Sequence, residues 1–132
     1  AASPAFLARW MPEGPTEKAL RQAPSLCFSE KDRLQARWVN AVTGGRMQKV
    51  SLPSHRIGSA QGFVDAGLAG LGWALHPKVL IAPHLRSGAL KELKPGTPLD
   101  VSLYWQFSRV TAEPIKKLTA EIRKAARRVL RA

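Results

Sequence analysis

The chain has 132 residues, 45% of them hydrophobic, enough to bury one core and too few for several large domains. Twenty-one Lys and Arg against nine Asp and Glu give a net charge of +12, which favours anionic partners and leaves the fold open. A single cysteine excludes a disulfide framework and a cysteine metal cluster, and no apolar run approaches the roughly 20 residues of a membrane span.

In chain order, Ser3-Pro4 reads as a helix start, with Phe6, Leu7 and Trp10 as the apolar face before Pro12-Glu13-Gly14-Pro15. Thr16 opens a second short helix, Glu17 to Gln22, with Ala19 and Leu20 turned inward. Leu26-Cys27-Phe28 is expected as a short strand, with Cys27 a small buried residue. Asp32 is placed to cap a helix from Arg33 to about Val42, with Leu34, Trp38 and Val42 on one side. Val50 to Leu52 and Arg56-Ile57 are strand fragments around Pro53, which bars a central-strand role there.

The stretch Ile57–Pro77 carries the densest information. Gly58-Ser59 ends a strand, Ser59 can cap a helix, and Phe63, Val64, Leu68 and Leu71 recur at helical spacing. Gly70 and Gly72 break that helix, and Trp73-Ala74-Leu75 continues as a buried strand. The unit is strand-helix-strand and predicts parallel strands, whose carboxyl ends are where open sheets bind ligands. Its turn, Gly58-Ser59-Ala60-Gln61-Gly62, is the first candidate for holding a small anionic group.

Further on, a helix is predicted from Pro77 to Ser87-Gly88, shortened or kinked at Pro83, with Val79, Leu80 and Leu85 apolar. A strand over Ala89–Leu93 and a turn at Lys94–Pro98 follow. Val101, Leu103, Trp105 and Phe107 alternate with polar residues and Tyr104, the period of a half-buried strand. Thr111 is expected to cap a final helix with an apolar stripe of Ile115, Leu118, Ile122, Ala125 and Val129. Basic side chains occupy its other faces, with no aromatic residue among them and no helix-turn-helix pattern.

Catalytic patterns are weak. The 58–62 turn has Ala60, not serine, at the centre of G-x-S-x-G. His55, His76 and His84 lack ligand spacing, and Gly70-Leu71-Gly72 lies at a helix end without a third glycine. Glu30, Asp32 and Asp65 remain as contacts for a cationic small molecule. By residue chemistry alone the chain is a ligand-binding α/β lobe of open specificity, without a cofactor or metal site.

Five collinear segments carry a resemblance: SPAFLARWMPEG, ALRQAPSLCFSEKDRLQ, GSAQGFVDAGLAGLGWALHP, APHLRSGALKEL and PGTPLDVSLYWQ. They resemble the effector domain of LysR-type transcriptional regulators, and within it the LysG/ArgP branch, which senses lysine or arginine and controls a basic-amino-acid exporter. The resemblance implies an α/β fold like one lobe of the type 2 periplasmic binding proteins, the second regulatory lobe of the domain. Residues 1–108 would form that lobe with its return strand, and 109–132 a basic helix packed on the first lobe. It further implies a cytoplasmic homo-oligomer, dimer or tetramer, with no enzymatic activity and no membrane attachment. DNA would be read by an N-terminal helix-turn-helix outside this chain.

The effector would be lysine or arginine, met by Ser59, Ala60 and Gln61, with lobe closure as the response. Many relatives carry Glu where this chain has Gln61, which makes Asp32 in SEKDRLQ the fallback carboxylate. The competing expectations are a solute-binding lobe of a transport system and a free-standing basic nucleic-acid-binding module.

Overall fold

The computed structural model describes residues 1–48, 51–107 and 115–130. Among the described residues, six helices and two strands run in the order α1 (Pro4–Trp10), α2 (Glu17–Gln22), β1 (Ser25–Cys27), α3 (Leu34–Val42), β2 (Ser54–Arg56), α4 (Ala60–Leu68), α5 (Lys78–Ser87) and α6 (Lys116–Val129). The chain divides into two compact units, 1–99 and 100–132.

The first unit is an α/β lobe. β1 and β2 pair in parallel, with Ser25 opposite Ser54 and Cys27 opposite Arg56. On the other side of β1, Trp73 forms a parallel bridge with Ser25: the Trp73 N–H donates to the Pro24 carbonyl (3.1 Å) and the Leu26 N–H to the Trp73 carbonyl (2.8 Å). β1 is therefore central, and the chain from β2 through α4 to Trp73 passes across it. Ser25 is fully buried, and its N–H and hydroxyl both donate to the Pro53 carbonyl, at 2.8 and 3.0 Å. Proline has no N–H to give a ladder, yet its carbonyl serves here as the anchor at the start of β2.

Helices cover both faces. Trp73 belongs to a core with Phe6, Leu20, Trp38, Val39 and Met47, which holds α1, α2 and α3 to one side. Ala74, the next residue, belongs to a core with Leu26, Phe63 and Ala66 under α4. That switch within one residue is the alternation of an extended segment. A third cluster, Val64, Ile81 and Leu90, joins α4 to α5.

Local chemistry sets the helix ends. The hydroxyls of Ser3, Thr16 and Ser59 accept from the N–H groups of Phe6, Ala19 and Gly62, as N-caps do. Asp32 accepts from the Leu34 N–H at 3.0 Å at the start of α3, and Gly88 closes α5 in the left-handed region at φ 76°.

Several expectations shift. The first strand starts at Ser25, one residue early, because the Ser25 and Leu26 amides are the ones paired to neighbouring segments. Cys27 is half-buried, not fully enclosed. On α3 the buried residues are Gln35, Trp38 and Val39, not Leu34 and Val42, since Gln35 donates to the Leu26 carbonyl at 2.6 Å. Leu71, Val79 and Leu80 are exposed. Ala89–Leu93 contracts to one antiparallel bridge between Lys91 and Ala2. Val50 and Thr111 lie outside the described residues.

The second unit corrects the alternating strand. Residues 101–107 form no strand and every one is exposed. A strand is held by ladder bonds to a neighbour, and the described residues of this unit supply none. The Trp105 indole N–H instead donates to the buried Thr119 hydroxyl of α6 at 3.2 Å.

Two outcomes follow from the packing of the first unit. A Cβ on Gly72 would stand 2.7 Å from Leu26 Cδ2 and 2.9 Å from the Pro24 carbonyl oxygen. Gly72→Ala should therefore destabilise the lobe by about 2 kcal/mol or more, read as a lower urea midpoint. His76 sits edge-on to Phe63, 5.1 Å between centroids, and neither ring nitrogen has a partner among the described residues. Burial pushes its pKa down to about 4. Between about pH 6.5 and 4 the unfolded chain then holds a proton that the folded one refuses, so stability falls with falling pH. Urea unfolding should lose about 1 kcal/mol from pH 7.0 to 5.5, and His76→Phe should flatten that slope.

Candidate functional site

Parallel strands leave at a common end, so the loops after β1 and β2 meet there. The Ile57 N–H continues the ladder onto the Cys27 carbonyl at 3.0 Å, carrying the two loops side by side. Phe28 from the first loop and Phe63 from α4 stand 6.5 Å apart, which ties the two loop exits together.

Asp32 organises the first loop. Its Oδ2 accepts from the Phe28 N–H at 2.9 Å and lies 3.4 Å from Gln35 Nε2, while Oδ1 accepts from the Leu34 N–H. The carboxylate is thus occupied by the chain's own donors, and the loop is a preformed turn. Arg33 adds a 2.8 Å bond from Nη1 to the Glu30 carbonyl. Glu30 points its carboxylate outward, where it pairs with Arg56 at the end of β2. Both partners are more than half exposed, so the pair is a weak clamp that a competing cation can displace. A shallow depression opens here, lined by Ser29, Glu30, Asp32, Arg33, Ser54 and Arg56.

Ser59, Ala60 and Gln61 stand at the start of α4, all exposed. The Ser59 hydroxyl accepts from Gly62 N–H at 3.2 Å, and its carbonyl from Phe63 N–H at 2.8 Å. The first two N–H groups of the helix, Ala60 and Gln61, are those that intrahelical bonding leaves over. The Gln61 carboxamide donates to Asp65 Oδ1 at 2.9 Å, one turn along. A carboxylate therefore does stand beside Gln61, supplied by the helix itself.

The residues expected from sequence thus fall at one end of the sheet in two groups. Ser59, Ala60 and Gln61 form one; Asp32 lines the depression next to them, and the 59–61 turn does not. Sequence reading passed over Arg56 and the outward role of Glu30. The register that sets Cys27 opposite Arg56 brings them together across 26 residues, and no local spacing encodes it. Among the described residues no three His, Cys, Asp or Glu side chains gather to hold a metal ion. Among the same residues no helix is long and apolar enough to cross a membrane.

Comparison with known proteins is consistent across sequence and structure. The family model described as LysR substrate binding domain matches residues 1–127. The HTH-type transcriptional regulator ArgP of Pseudomonas fluorescens is 37% identical over 123 residues, 92% of this chain and 39% of that protein. LysG of Mycobacterium bovis is 34% identical over 125 residues, 95% of this chain and 40% of its own length. The chain thus spans about two fifths of the curated relatives it matches. Among solved structures, the C-terminal domains of a LysR family protein from Agrobacterium tumefaciens superpose with a TM-score of 0.91 at 51% identity, over 98% of this chain and 61% of that one. Full-length LysG from Corynebacterium glutamicum with bound effector Arg gives a TM-score of 0.77 at 31% identity, over 99% and 43%.

The Asp32 network separates a folding role from a binding role. Asp32→Ala should cost about 1–3 kcal/mol by orphaning the Phe28 and Leu34 amides, measured by thermal or urea unfolding. Asp32→Asn, which keeps the acceptor oxygen, should recover part of that loss.

Proposed function

The chain belongs to the LysR substrate-binding domain family, and from that premise we propose that it is the effector-sensing part of a DNA-binding transcriptional regulator responding to a basic amino acid. Its fold is the periplasmic-binding-protein-like α/β fold of that family. Arginine or lysine is the proposed effector, and an amino-acid exporter the proposed target. The observation that carries this reading is the strand-end depression, where the Glu30 carboxylate already holds a guanidinium, that of Arg56. A site that binds one guanidinium by a displaceable ion pair has the chemistry to bind another. The relatives named ArgP and LysG, and the LysG structure with bound effector Arg, support the same class of ligand.

In mechanism, the ammonium or guanidinium of the effector takes the carboxylate side of the depression. The Ser59–Gln61 turn offers two N–H groups and the positive end of α4 to the effector's own carboxylate. The opposite wall of the cleft comes from the other lobe of the full-length regulator, and closure of the lobes over the effector shifts its oligomer on the operator. DNA recognition rests with a helix-turn-helix elsewhere in that protein, which works in the cytoplasm as a homo-oligomer. The role is binding and signalling, without catalysis.

Calorimetry on the full-length regulator tests the proposal. L-Arginine and L-lysine should bind at or below millimolar concentration and L-leucine should not. Glu30→Gln should weaken arginine about tenfold, and Ser59→Ala and Gln61→Ala severalfold, with operator affinity in the absence of effector unchanged. Absence of binding by both basic amino acids at millimolar concentration would remove the effector assignment.

A further inference from the structure

The helix α6 gathers apolar and cationic side chains on different faces, with Ala120 inside the cationic arc and Glu121 at its edge. At about 100° per residue, Leu118, Ile122, Ala125 and Val129 fall within an arc of about 60°. Arg123, Lys124, Arg127, Arg128 and Lys117 fall within an arc of about 140° on the opposite side. Lys117, Lys124 and Arg128 make one row of about 17 Å along the axis, and Arg123 and Arg127 make a second row beside it. All five are exposed, and none is paired with a carboxylate among the described residues. Glu121 is the single acid of the helix.

We propose that this cationic face of α6 is a contact surface for the phosphate backbone of duplex DNA, independent of base sequence. Three observations favour that occupant. First, the cations lie directly opposite the apolar stripe, so whatever covers the stripe leaves them facing outward. α6 carries no Trp or Phe on that stripe to anchor it at a bilayer interface. Second, the rows run along the axis, and a duplex offers one negative charge per about 1.7 Å of its own axis, so a 17 Å row meets several phosphates at once. Third, no aromatic side chain interleaves the charges, so the face has nothing on which unpaired bases could stack. Phosphate contacts of this kind hold a protein on DNA without reading it. This inference does not depend on which effector the lobe binds.

The test is fluorescence anisotropy of a labelled 20-base-pair duplex of arbitrary sequence with the 132-residue chain, titrated from 50 to 200 mM salt. Each phosphate neutralised contributes a slope of about −0.9 in log K against log salt. The wild-type chain should show a slope of about −3 to −5. Replacing Lys117, Arg123, Lys124, Arg127 and Arg128 with Gln should reduce it to about −1 or less, with helicity checked by circular dichroism. The milder pair Lys117→Gln and Arg128→Gln should remove about 2 from the slope, a readout that does not rely on the fivefold variant folding. A control replacing Lys18, Arg37, Lys78, Arg86 and Lys91, five exposed cations of the first unit, lowers net charge equally and should leave the slope within about 1. Equal losses in the α6 and control variants would reduce the effect to net charge and overturn the proposal. So would absence of duplex binding at 50 mM salt, or tighter binding to phosphatidylglycerol vesicles or polyglutamate than to the duplex.

Discussion

The backbone of β1 is bonded on both sides within three residues, and most of the lobe follows from that. Ser25 gives two hydrogen bonds to Pro53, Leu26 gives its amide to Trp73, and Cys27 receives the amide of Ile57. To reach β1 from its Trp73 side, the chain must pass Gly72 within van der Waals contact of Leu26. To reach it from the β2 side, the chain must bring Arg56 level with Cys27. The first requirement fixes the helix-to-strand corner after α4. The second fixes which side chains meet at the strand ends. Core and depression are thus two consequences of one short, fully engaged strand.

What could be read from sequence were the features decided within four residues. Ser3, Thr16 and Ser59 announce helix starts because the cap bond reaches only to the next turn, and each forms as expected. Gly88 marks a helix stop for the same local reason. The burial of Gln35 was hidden because its partner is the Leu26 carbonyl on a strand, and a polar residue earns a place inside only through such a bond. The run from Val101 to Phe107 alternates like a strand, but alternation states a preference for facing a sheet, not the presence of one.

The candidate site divides along the same line. Ser59, Gln61 and Asp32 were visible as residues, as were the Ser59 cap and the Asp32 bond at the start of α3. The Gln61–Asp65 pair and the Asp32 bond to Phe28 emerge only in the structure. So does the pairing of Glu30 with Arg56, because it depends on strand register. This leaves two kinds of carboxylate a few residues apart. Asp32 is enclosed by internal donors and shapes the loop, while Glu30 stands in solvent with a partner that solvent competes for. A folding constraint and an exchangeable charge share one loop, and changes to one need not disturb the other.

Pro53 has a wider meaning beyond anchoring Ser25. Among the described residues β2 pairs on one side only, with β1. A proline just before its first residue withholds a donor, the strand is three residues long, and all three are polar and exposed. Short, polar, proline-headed edges are poor templates for a foreign strand. The same residue that fastens the centre of the sheet thus protects its rim against runaway growth into aggregates.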